Sequence, residues 1–134
     1  MTAITPDERS TFSRDGFLIA RRVAPHDVVA RMKEIAARHL ANATAPVEYE
    51  ADLGYPGAPA SIDVTGGRTV RRLLQAYARD PLFRQWSTSR AVGERLKPLL
   101  GPDVALSQAH HNCVMTKAPR FSSRTGWHRD IRYW

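Results

Sequence analysis

The sequence predicts an α+β domain, mainly β in its core, in which helices come first and the sheet is reached only towards the C-terminal end. Three observations predict it. Helix start and stop signals recur from Thr5 to Gly101. A strand pattern fills Asp103 to Lys117, and a second one fills Trp127 to Trp134, where aromatic and β-branched residues dominate. Ala118-Pro119 closes the first, and a short polar loop, Arg120 to Gly126, leads into the second.

Taken in order, Thr5-Pro6-Asp7-Glu8 is a helix start, with Thr5 as cap, Pro6 in the first turn and Glu8 completing a capping box. Gly16 is the stop. Phe17 to Ala20 reads as a short buried strand. Pro25 opens a second helix to about Ala41, whose Val28, Met32, Ile35, Ala36 and Leu40 keep helical spacing. His26 and His39 lie at its ends and read as capping or surface residues. From Asn42 to Arg68 the chain turns rich in Gly, Pro and Ala, which makes it a candidate lid or a disordered loop. Val70 to Tyr77 fits helix or strand. Asp80-Pro81 starts a short helix bearing Phe83 and Trp86 on one face. A further helix from about Ser89 turns Val92, Leu96, Leu99 and Leu100 inward, with Pro98 in its last turn and Gly101-Pro102 beyond it.

Composition narrows the function. The chain has 134 residues, enough for one domain, and its 43% hydrophobic and 25% charged residues are ordinary for a globular protein. No apolar run reaches transmembrane length, and the first residues lack a signal-peptide pattern, so a cytoplasmic location is expected. The single cysteine, Cys113, excludes an internal disulfide and a cysteine-based zinc cage. The excess of 20 basic over 13 acidic residues gives +7. Those basic residues are scattered and no nucleic-acid motif accompanies them, so neither a nucleic-acid nor a membrane partner is expected. A milder reading is attraction of anionic small molecules.

The chemistry concentrates in Trp127-His128-Arg129-Asp130. On a strand, His128 and Asp130 project to the same face, while Trp127, Ile131 and Tyr133 share the other. An imidazole and a carboxylate side by side supply two ligands of a 2-His-1-carboxylate facial triad, which binds Fe(II) and leaves positions open. The competing reading is a strand with a surface salt link.

The order of several short pieces then carries a resemblance. Phe12-Ser13-Arg14-Asp15-Gly16-Phe17-Leu18, Asp80-Pro81-Leu82-Phe83-Arg84, Leu99-Leu100-Gly101-Pro102-Asp103-Val104, Lys117-Ala118-Pro119 and Trp127-His128-Arg129-Asp130 together resemble the N-terminal half of the phytanoyl-CoA dioxygenase family of Fe(II)/2-oxoglutarate oxygenases. The resemblance implies a double-stranded β-helix, or jelly-roll, with flanking N-terminal helices. It implies ferrous iron held by His128, Asp130 and a second histidine far downstream. It also implies an arginine after that histidine to pair with the distal carboxylate of 2-oxoglutarate, and O2 as oxidant. His26, His39, His110 and His111 all precede the motif, so none matches the third-ligand position. The chain is therefore expected to be cut within the sheet of a longer enzyme; a defective remnant is the other possibility.

By the same resemblance, Arg72 falls where a basic residue reaches 2-oxoglutarate, and Cys113 where the co-substrate pocket is lined. Solvated arginine and ordinary strand packing are the competing readings. His111, Cys113 and Met115 alternate onto one strand face, which makes His111 and Met115 candidate substrate or co-substrate contacts. Lys117 reads as a residue that fixes the loop. The expected activity is hydroxylation of a small molecule or natural product, with an acyl-CoA next in line. The alternative is a jelly-roll remnant that binds a ligand or a protein without iron.

Overall fold

Local capping chemistry decides the helices. In a computed structural model, which describes residues 4–109 and 111–126, helix α1 spans Pro6–Asp15. Thr5 Oγ1 accepts from Glu8 N at 3.2 Å and Glu8 Oε2 accepts from Thr5 N at 2.9 Å, a reciprocal capping box. Gly16 takes the left-handed conformation at φ 78° and donates its N–H to Phe12 O. Helix α2 spans His26–Ala41 and buries Ile35. The Asn42–Arg68 excursion contains strand β1, Val47–Tyr49, and a 3₁₀ turn, Glu50–Asp52. Strand β2 is Val70–Leu74, which settles the helix-or-strand question for its first five residues. Helix α3, Ala76–Arg79, follows directly. Helix α4, Pro81–Ser87, is capped by Asp80, whose Oδ1 accepts from Leu82 N at 2.9 Å. Helix α5, Arg90–Leu100, is capped by Ser89 and carries Pro98 in its last turn. Strand β3 is Cys113–Met115.

These elements form two compact units. The helical unit comprises the described chain up to His39 together with Gln75–Cys113. Within it Asn112 organises α3: its backbone O accepts from Ala76 N at 3.0 Å and its Oδ1 from Tyr77 N at 2.9 Å. Helix α2 meets the α3 end through His39 Nδ1, 3.4 Å from an Arg79 guanidinium nitrogen. Arg95 of α5 lies 4.0 Å from Glu8 of α1. The sheet unit comprises Leu40–Leu74 and the described chain from Val114. Its strands lie in the order β1-β2-β3, with β1 and β2 antiparallel.

Three sequence expectations are corrected. Phe17 to Ala20 is not a strand, and Phe17 and Ile19 are 61% and 63% exposed. A strand needs a neighbour to complete its backbone hydrogen bonds, and none of the described strands pairs with it. The long strand expected over Asp103 to Lys117 shrinks to Cys113–Met115, because Asn112 gives its acceptors to α3 and the residues before it, such as Leu106, stay exposed. On α5, Leu100 faces outward at 63% exposure rather than inward. The strand reading of Trp127 to Trp134 and the histidine at 110 lie outside the described residues.

Candidate functional site

The β1–β2 pairing contains an irregularity that gathers charge. Glu48 pairs with Arg72, but Tyr49 pairs with Val70, so Arg71 is an extra residue in β2. An extra residue of this kind kinks the strand and re-aims side chains, here bringing two arginines opposite one glutamate. Arg71 Nε lies 3.3 Å and Arg72 Nε 3.5 Å from the same atom, Glu48 Oε1. Arg71 continues inward: its Nη1 is 3.3 Å from Glu50 Oε2 and donates to Ser123 Oγ. Its guanidinium also lies over the Tyr55 ring, 4.6 Å from the centroid.

Glu50 is the deepest member, with 0% exposure, and Arg71 and Ser123 are buried beside it. Its Oε2 accepts from Ser123 N at 3.0 Å. Burial raises the pKa of the Glu50 carboxyl. The hydrogen bonds from Ser123 and Ser122, with the charge of Arg71, outweigh that effect and hold it below the usual glutamate value. The carboxylate is therefore ionised, and two acids face two bases, with Glu50 and Arg71 buried and Glu48 and Arg72 partly so.

The cluster grips one segment, the turn that follows β3. Besides the bonds to Ser123, Lys117 Nζ donates to Ser123 O at 2.7 Å and to Thr125 Oγ1 at 2.9 Å. Thus Lys117 fixes the loop, as its place in the sequence suggests. Ala118 N donates to Ser122 Oγ at 2.8 Å, and Arg124 N to Pro56 O at 3.0 Å. Phe121 packs against Gly66, where an added Cβ would stand 2.2 Å from the ring at a backbone φ of 81°. This held segment ends at Gly126, directly before Trp127-His128-Arg129-Asp130.

The other site expectations fall as follows. His128 and Asp130 lie outside the described residues. Arg72 is on β2, partly buried and ion-paired to Glu48 rather than solvated. Cys113 opens β3 and is half-buried, and Met115 closes it with 49% exposure. His111 precedes β3 in a turn, its O accepting from Cys113 N at 2.9 Å, so the alternation expected of three residues holds for Cys113 and Met115 only. Among the described residues no three of His, Cys, Asp and Glu gather into a metal-binding group. Sequence reasoning missed Glu50, Arg71 and Ser123. The alternation Val47-Glu48-Tyr49-Glu50 and the pair Arg71-Arg72 were the available signals, but a strand bulge and a contact across 73 residues are not written in either.

The family pattern described as phytanoyl-CoA dioxygenase (PhyH) matches residues 12–134. The chain belongs to the phytanoyl-CoA dioxygenase family. It is also similar to a protein named ectoine dioxygenase from Sphingopyxis alaskensis, at 23% identity over 132 residues. That alignment covers 98% of this chain and 39% of the relative, so the chain spans well under half the length of that family member. No solved structure matches the chain. No described helix is long and apolar enough to cross a membrane.

Proposed function

We propose that this chain is part of an Fe(II)- and 2-oxoglutarate-dependent oxygenase that hydroxylates a small molecule. The observation that carries the reading is the reach of the family match, which runs through residue 134 and so includes His128 and Asp130. Their donor set, one imidazole nitrogen and one carboxylate oxygen two residues apart, suits ferrous iron. His128 and Asp130 would hold the ion, with a third ligand from outside this chain's described residues. Bound together, iron and 2-oxoglutarate supply O2-dependent hydroxylation, in which the co-substrate loses carbon dioxide and becomes succinate.

What the chain's own residues contribute is support and charge. The clamp on Ser123 immobilises the approach to the ligand pair. Arg72 would reach an anionic co-substrate only by giving up part of its pairing with Glu48 Oε1, so a co-substrate contact there competes with an existing ion pair. Cys113 would line the co-substrate pocket, and His111 and Met115 would face the substrate. The excursion over residues 42–68, with its strand and 3₁₀ turn, serves as the substrate-selecting lid in this reading. A jelly-roll completed by further strands is the fold that the family implies around these elements. The relative named for ectoine makes a small polar solute the first substrate class to assay, with natural products and acyl-CoA thioesters after it.

The test is Asp130→Ala in the longest chain that the gene encodes. Loss of both iron binding and succinate production is expected. Retained succinate production by this variant would sink the assignment.

A further inference from the structure

The buried charges of the sheet unit have a use that their stability alone does not require. Replacing a buried ion pair by apolar side chains is often neutral or stabilising, so such a cluster is better explained by what it positions. Here the hydrogen bonds of the cluster converge on one residue of the turn, Ser123. Ser123 N donates to Glu50 Oε2 at 3.0 Å, Ser123 Oγ accepts from Arg71, and Ser123 O accepts from Lys117 Nζ at 2.7 Å. All three polar groups of Ser123 are thereby engaged, and the residue is only 3% exposed. Its position is fixed in three directions, five residues before His128.

We propose that Glu50 and Arg71 are positioning residues: a buried clamp on Ser123 that fixes the turn leading to His128 and Asp130, and so sets how tightly that pair binds iron. The inference rests on the oxygenase reading above. Neither residue is one of the ligands proposed above; they would act through the backbone of the turn. Supporting groups that orient metal ligands typically change affinity by roughly 10–100-fold when removed. The Arg71 fork is part of the device, since its Nη1 serves Glu50 and Ser123 while Nε faces Glu48. A lysine keeps the charge but cannot hold all three.

The test uses the longest encoded chain, titrated anaerobically with Fe(II) at saturating 2-oxoglutarate, following the visible charge-transfer absorbance. Three variants are compared with the unaltered protein: Glu50→Gln, Ser123→Ala and, as a control in the helical unit, Thr5→Ala. Glu50→Gln is expected to raise the Fe(II) dissociation constant about tenfold or more and to shift or broaden the band. Ser123→Ala, which keeps the N–H but removes the hydroxyl, is expected to raise it severalfold. Thr5→Ala should lose stability and leave the iron titration unchanged. If Glu50→Gln fails to fold, Ser123→Ala decides. Unaltered titrations in the clamp variants, with a normal band in the parent, would overturn the clamp alone. No band in the parent would remove the oxygenase reading, and the clamp with it.

Discussion

In the helical unit, the fully buried apolar side chain among the described residues is Ile35, and the elements are set mainly by their own ends: Thr5 and Glu8, Gly16, Asp80, Ser89. In the sheet unit, Leu73 is buried beside Glu50, Arg71 and Ser123, residues far apart in sequence that hold one another through charge-assisted hydrogen bonds. The difference is one of range. Caps act over three or four residues, so they can be read from the sequence and each is worth little. The ionic clamp spans 73 residues between Glu50 and Ser123, and it has value only when every member is in place.

The largest expected effect comes from breaking the clamp on one side. Arg71→Ala leaves Glu50 buried without its counter-charge and removes a donor from Ser123, so a loss of about 3–5 kcal/mol is expected in denaturant unfolding. Loss of under 1 kcal/mol would mean that the sheet unit is held by something else. Next is Gly66→Ala, which drives a Cβ into the Phe121 ring at a positive φ, where about 1–3 kcal/mol should be lost. Thr5→Ala is the smallest of the three, at about 1 kcal/mol, because it removes one cap from an exposed helix.

A pH series sharpens the same contrast. The folded Glu50 pKa lies below the ordinary value of 4.5, so its contribution to stability is full above that value. It is lost as pH falls from the ordinary glutamate value through the lowered folded one. Glu50→Gln should flatten this acid limb, whereas Thr5→Ala should leave its shape unchanged. An acid limb of equal steepness in Glu50→Gln would show that other carboxylates govern it.

The division also explains what the sequence could say. Both ends of α1 were legible because Thr5, Glu8 and Gly16 act on their own neighbours. Phe17 to Ala20 resembles a strand in composition, but a strand is defined by its partner, and apolar residues do not announce whether one exists. The same ambiguity stretched β3 back to Asp103, where Asn112 in fact diverts the backbone to α3. In the candidate site, Arg72 was visible as a charge beside another charge. The bulge that makes Arg71 the inner residue was not, because register depends on both strands at once. Lys117 was read correctly as a loop anchor, since its partners lie within eight residues.

The most direct test of the central claim is equilibrium Fe(II) binding to the longest encoded chain under anaerobic conditions with 2-oxoglutarate present, for the parent and for His128→Ala and Asp130→Ala. A visible charge-transfer band in the parent, absent from both variants, is the predicted result. A band that survives loss of either residue would place the iron elsewhere. The absence of a band in the parent would contradict the oxygenase reading and favour a domain that binds its partner without metal.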